Sequence, residues 1–323
     1  MIRTLMLVGK TGTTTTTIGQ TWNAQASLTS AVTLRQLHSV AWNGSIYVAV
    51  GVGVCATSPD GITWTLRPSF ATAIGGGSTA YTVKWGASVF CAIVGASLCA
   101  TSPDGITWTA QSSFTTAFST GQQPHALIWT GSIFFAAGSA GAGATSPDGI
   151  TWTSNTSITT AFGTTSVFDV AWNGATYSAV GGTTTGIGAT SPDCITWTVA
   201  SNLTSVFGAN SFRSIAWNGS IFCVIGGNGL CATSPNGTTW TSQSGFTTAI
   251  GSTNTARGIV WVASKFVVVG SSGICVTSSD GITWSNQTAF TTAFGAANAA
   301  YGILSTGTKL IAVGDAGTGV TSP

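Results

Sequence analysis

Carboxylates carry most acid–base and metal chemistry in proteins. This chain has seven of them, all aspartate: Asp60, Asp104, Asp148, Asp169, Asp193, Asp280 and Asp315. The lack of glutamate removes the usual carboxylate pair of a glycosidase and most oxygen cages for hard cations. The two histidines, His38 and His125, have no Cys or Asp partner at zinc-site spacing. Serine is abundant, yet no Gly-x-Ser-x-Gly elbow presents one as a nucleophile. Charged residues make up 5% of the chain and the net charge is +2, too thin for the basic stripe that phosphate backbones require. The composition therefore points to a protein that is not an enzyme, holds no cofactor or metal, and has no nucleic-acid partner.

A different set of residues gathers at one recurring position. Four residues before a repeated tryptophan stand His38, Tyr81, His125, Phe168, Arg213 and Arg257, with Tyr301 at the matching place before Ser305. The position collects both histidines and two of the four tyrosines. Flat aromatics and forked guanidinium donors suit stacking on, and hydrogen bonding to, sugars or peptide surfaces. The plainer alternative is bulky groups capping the mouth of a channel. Cysteine gives a weaker signal. Seven is an odd number, so a fully paired framework is ruled out. Cys55, Cys99, Cys231 and Cys275 each lie nine residues before a tryptophan, a slot that Gly143 and Gly188 fill elsewhere. That pattern reads as a small residue between sheets. Cys91–Cys99 and Cys223–Cys231, eight apart, could each bridge a hairpin; at the same spacing Cys55 would face Tyr47 and Cys275 would face Val267.

What must position these residues is a repeat. Ser-Pro-Asp-Gly-Ile-Thr-Trp occurs at 58–64, 102–108 and 146–152, and returns with changes at 191–197, 234–240 and 278–284. The tryptophans fall at 22, 64, 108, 152, 197, 240 and 284, with gaps of 42 to 45 residues. A period near 44 built of short strands is propeller-sized. Each unit reads as four strands. Strand A ends in an apolar pair and Trp, as in Val40–Trp42. Strand B is apolar and closes on Gly, as in Ile46–Gly51. Strand C is Val54–Thr57 and its equivalents, and strand D carries Thr63-Trp64. Asn43-Gly44, Asn173-Gly174 and Asn218-Gly219 signal type I′ hairpins between A and B. The predicted fold is all-β: a seven-bladed propeller of four-stranded antiparallel blades, forming one domain over residues 1–323. N-terminal strand D joins C-terminal strands A to C in one composite blade, which removes exposed edges. Residues 1–17, including Leu5–Gly9 and Thr13–Thr17, are left as surplus strand-like sequence. Eight blades, two of them three-stranded, are the alternative.

The segment Ser58–Trp64 resembles the Asp-box (BNR-type) repeat, whose usual form is Ser/Thr-x-Asp-x-Gly-x-Thr-Trp. The departure here is that Asp60 and Gly61 are adjacent. The resemblance implies a turn between the third and fourth strands of a propeller blade, in which Asp caps backbone N–H groups and Trp packs below. Asp and Gly suit such a turn on their own chemistry. Asp60, Asp104, Asp148, Asp193 and Asp280 are thereby assigned to structure. Sialidases share the box, which keeps a sialidase-like hydrolase as an outsider reading, but their Tyr–Glu pair has no counterpart without glutamate. The two remaining acids, Asp169 and Asp315, fall in blades far apart in sequence.

Between strands D and A runs a second repeat: Ser69–Ile74, Ser113–Phe118, Gly245–Ile250 and Ala289–Phe294. Its apolar residues are four apart, so one helical turn would bury both on one face, with Ser available to cap it. The main reading is a packed strap between blades; the alternative is an exposed apolar ring for docking. The opening of the chain has a four-residue apolar run before Lys10, shorter than a secretory core or a membrane span, so neither is expected. Repeats of this kind resemble those of bacteriophage structural and tail-associated proteins. The resemblance implies a virion appendage or decoration protein, binding other virion proteins or host-surface glycan or protein. An intracellular assembly scaffold, as with the Asp-box propeller that assists photosystem II assembly, is the alternative.

Overall fold

The computed structural model describes residues 18–182, 186–200, 203, 206 and 210–323. The surplus segment 1–17, and with it Leu5–Gly9 and Thr13–Thr17, lies outside the described residues. The described residues form seven four-stranded antiparallel sheets, each in the order A-B-C-D. The first takes Leu37–Trp42, Tyr47–Gly51, Val54–Ser58 and Thr65–Leu66, and the pattern repeats along the chain. In one sheet the outermost strand is Asn23–Ala24, paired to Gly319–Ser322, so both ends of the chain share it. Each innermost strand lies against the next, and Ala300–Ser305 lies against Leu37–Trp42.

The sequence dictates this layering. Strand B is buried throughout, as in Tyr47–Gly51 and Leu310–Gly314, apart from a half-buried first residue in Val89–Val94 and Lys265–Gly270, because sheets cover both of its faces. Such strands therefore read as continuous apolar runs rather than alternations. Strand D is two residues long and exposed in most sheets, a short edge that offers little to pair with. The core is distributed between neighbouring sheets. Val48 and Val50 of the first meet Val83, Phe90 and Ala92 of the second, under Phe70, Ile74 and Trp108.

Three local expectations need correction. The segment after Trp42 is not a type I′ turn. Four residues separate Trp42 from Tyr47, and Gly44 has positive φ while Asn43 does not. Asn43 instead folds back, its Oδ1 accepting from Ser45 N and Ile46 N. Strand D begins after the tryptophan, at Thr65–Leu66, so Trp64 belongs to the turn. Among the described residues the D-to-A connections include seven-residue helices such as Pro68–Ile74 and Ser112–Phe118, but Ser does not cap these two. The Ser69 and Ser113 hydroxyls donate instead to the Ile106 and Ile150 carbonyls of the following sheet. The apolar pairs Phe70/Ile74, Phe114/Phe118, Phe246/Ile250 and Phe290/Phe294 are buried, which excludes the exposed-ring alternative for them.

The turn before strand D is held by its own side chains. Ser58 Oγ accepts from Gly61 N and donates to Asp60 Oδ1, which also accepts from Ile62 N and Thr63 N at 2.7 Å. The two backbone bonds to the carboxylate recur around Asp104, Asp148, Asp193 and Asp280. Gly61 has φ +77°, and its carbonyl accepts from the Trp64 indole N–H. All seven turn tryptophans are buried, at 3–8% exposure. Several meet the preceding helix edge-on, as Trp108 meets Phe70 and Trp152 meets Phe114, each at 4.8 Å. Helix, turn and tryptophan thus tie each sheet to its neighbour.

Candidate functional site

The innermost strands carry an irregularity that the sequence did not announce. In the first sheet Leu37 pairs with Gly51 and Ser39 with Val50, leaving His38 as an extra residue, a β-bulge. The same bulge recurs at Tyr81, His125, Phe168, Arg213, Arg257 and Tyr301. Bulges re-aim a side chain out of the regular alternation. Here they bring all seven residues into the lining of one cavity of about 330 Å³.

Six contacts chain the seven side chains together. Arg213 lies over the Phe168 ring at 4.6 Å. Phe168 meets His125 at 5.0 Å, His125 meets Tyr81 at 5.2 Å, and Tyr81 meets His38 at 6.0 Å. His38 tilts onto Tyr301 at 4.8 Å, and Arg257 lies over Tyr301 at 4.6 Å. Each aromatic pair of this kind contributes about 1 kcal/mol beyond its buried area, so the ring holds its side chains in place before any ligand arrives.

Electrostatics follow from burial. His38 is held down to about 4, first by desolvation and then by Arg257, with Asp315 opposing. His125 is also lowered to about 4, by desolvation and Arg213. Both rings are therefore neutral at physiological pH. His38 Nε2 and Arg257 Nε are buried without a hydrogen-bond partner among the described residues. The Arg213 guanidinium is lowered by burial and by Arg257 of like sign.

A second layer below the bulges was missed. The next position in each strand holds Ser39, Thr82, Ala126, Asp169, Ser214, Gly258 and Gly302, and all but Ala126 line the cavity, with Lys84. Asp169 Oδ2 accepts from Ser214 Oγ at 2.6 Å and Ile215 N at 3.0 Å, tying two neighbouring sheets together. Burial raises this carboxyl, and the hydrogen bonds and Lys84 oppose the rise. Ser39 Oγ makes the matching bond from Val83 N at 3.3 Å. Signals existed for both charges: Lys84 interrupts an apolar pair before Trp85, and Asp169 stands where other strands have small residues. Gly302 has no room for a Cβ, which would lie 2.5 Å from the His38 carbonyl.

The cysteines are free and buried. Cys91 and Cys99 lie on one face with sulfurs 3.6 Å apart, and Cys223 and Cys231 at 3.5 Å. The hairpin register differs from the spacing argument: Cys55 faces Val50, not Tyr47, and Cys275 faces Val269, not Val267. Among the described residues, no three of His, Cys, Asp and Glu group to hold a metal ion. No described helix is long and apolar enough to cross a membrane.

The model of a family described as the DUF6242 beta propeller domain matches residues 191–322. No curated protein matches the chain. Among solved structures it is similar to YCF48 bound to D1 peptide, with 16% identity and a TM-score of 0.70, over 93% of this chain and 96% of that one. YCF48 from Cyanidioschyzon merolae matches with 16% identity and a TM-score of 0.69, over 93% and 98%. The WD40 beta propeller domain of Doa1 matches with 10% identity and a TM-score of 0.67, over 94% and 97%. At these identities the likeness is one of fold: the chain is an all-β propeller of seven four-stranded antiparallel sheets.

Proposed function

We propose that this propeller is a non-enzymatic recognition module that takes part of a protein ligand into its central mouth. The observation that carries the reading is the convergence of seven β-bulges, each aiming its side chain into one cavity. The stacked aromatics offer flat apolar faces, and the arginines offer forked donors. The choice of a protein partner draws support from a structural neighbour, YCF48, which is bound to a peptide. The non-enzymatic reading draws support from the carboxylates, since five serve turns that resemble Asp boxes and Asp169 ties two sheets together. We infer that the ring is closed through the composite sheet of Asn23–Ala24 and the last three strands.

Two settings fit such a module. A virion appendage or decoration protein, binding partner proteins or host-surface glycan, is favoured by a surface nearly free of charge. An assembly scaffold is favoured by the peptide-bound neighbour. Co-purification with particles at fixed stoichiometry supports the first, and association with a cellular complex the second. For the site itself, peptide and glycan arrays are probed with the whole chain and with Tyr81→Ala and Tyr301→Ala. Loss of binding in both variants is expected. Binding unchanged in both would place the site on the outer loops and overturn the reading.

A further inference from the structure

The stacked ring breaks at one place, between Arg213 and Arg257. Each guanidinium has one flat face covered, by Phe168 and Tyr301 respectively. Stacking of that kind leaves the N–H edge free for bidentate recognition. Arg257 Nε is buried without an acceptor among the described residues. The charge acting on Arg213 is its neighbour Arg257, of the same sign. Two nearby carboxylates are already engaged. Asp169 accepts from Val170 N, Ser214 Oγ and Ile215 N, and Asp315 accepts from Gln36 Nε2 and Ala299 N. Two cations side by side at the mouth repel, and a bound anion relieves both the repulsion and the orphaned donor.

We propose that Arg213 and Arg257 together hold an oxyanion, a carboxylate or phosphate group, at the mouth of the central cavity. This rests on the reading of the mouth as a ligand site and names the chemistry it selects. The lining favours an anion over a neutral sugar. A charged acceptor offsets the like charges of the two guanidinium groups, which a neutral hydroxyl does not, and the one carboxylate in the lining is spent between sheets. The forked guanidinium pair matches the two oxygens of a carboxylate or the oxygens of a phosphate.

The test uses the whole chain, titrated with sodium phosphate and separately with sodium acetate against sodium chloride at equal ionic strength. Binding is followed by the Nε–Hε resonances of the arginines and by thermal stability. Saturable shifts of the Arg213 and Arg257 signals are expected with at least one of the two anions, and which one identifies the group. Arg213→Gln and Arg257→Gln should each weaken that binding about tenfold, and Lys265→Gln, outside the cavity, should leave it unchanged. Arg213→Lys and Arg257→Lys keep the charge without the fork and should fall between. No saturable response to either anion, or a response that survives the double Gln variant, overturns the proposal. Array binding that needs Tyr81 and Tyr301 without any anion response would sink this inference alone. Anion binding at the arginines, with array binding indifferent to the ring, would sink the recognition reading instead.

Discussion

The indole N–H of Trp197 is buried without an acceptor among the described residues, and Cys194, three residues before it, is the reason. In the six other turns the matching residue is glycine, and its carbonyl takes the tryptophan N–H, as Gly61 does for Trp64 and Gly149 for Trp152. Cys194 sits at φ +61°, and its carbonyl accepts instead from Asn155 Nδ2 at 2.9 Å. Asn155 also caps its own helix by accepting from Ser157 N and Ile158 N.

A side chain held in the left-handed region costs about 1–2 kcal/mol that glycine does not incur. Cys194→Gly should therefore stabilise the protein by about 1 kcal/mol, some of the gain being lost with the buried sulfur. Urea denaturation of the variant beside the parent measures it. A loss of stability would show that sulfur packing outweighs the backbone strain.

The Asp60 turn yields a graded series. Its Oδ1 accepts from two backbone N–H groups and the Ser58 hydroxyl, so Asp60→Ala should cost about 1 kcal/mol, as removal of a helix cap does. Asp60→Asn should cost little, because Asn236 already makes the same bonds in another sheet, to Thr238 N and Thr239 N. The two backbone bonds are the main cause that holds Asp60 down to about 2. Its folded-state affinity for protons is below the unfolded one, so its contribution is present above about pH 4 and lost as pH falls toward 2. Asp60→Asn should flatten that part of the acid-unfolding profile, and an unchanged profile would refute the assignment.

How much of this was legible depended on whether a feature repeats. The 44-residue period exposed the sheets, and the alignment four residues before each strand-A Trp, or before Ser305 in the last unit, picked out all the bulged residues from His38 to Tyr301. The bulge itself has no residue signature, since histidine, arginine and phenylalanine all occupy it. Asp169 stands out in the sequence only as an isolated acid, because it occurs once, and only the fold shows that it shares a layer with Ser39 and Ser214. Cys55 was paired with the wrong residue for a similar reason: counting along a hairpin does not fix register when the loop length is unknown. Ser69 looked like a helix cap because a cap is local, while its actual partner, Ile106, lies in the next sheet.

The thiols give a direct check on the sheet-to-sheet packing. All seven are buried, and desolvation pushes Cys55, Cys194 and Cys275 above the ordinary thiol range. A thiol reagent should label none of them in the folded protein and all seven after denaturation. Fast labelling of Cys91 or Cys231 in the native state would contradict the dry inter-sheet core.

The histidines make the ring itself sensitive to acid. Both have a folded-state value near 4 against an unperturbed 6.5, because burial and the arginines disfavour the charged form. Between pH 6.5 and 4 the unfolded chain binds more protons than the folded one. Stability is then complete above about 6.5 and declines as pH falls toward 4, by at most about 1.4 kcal/mol per pH unit for each ring. Asp315 opposes the effect at His38 and not at His125, so His125→Phe should flatten the profile at least as much as His38→Phe. Urea midpoints measured from pH 7 to 4 on both variants and the parent test this, with the imidazole resonances followed alongside. Imidazole signals titrating near 6.5 would mean that water and counter-ions reach the ring freely, and the mouth would then lack the dryness that makes its aromatic and guanidinium contacts strong.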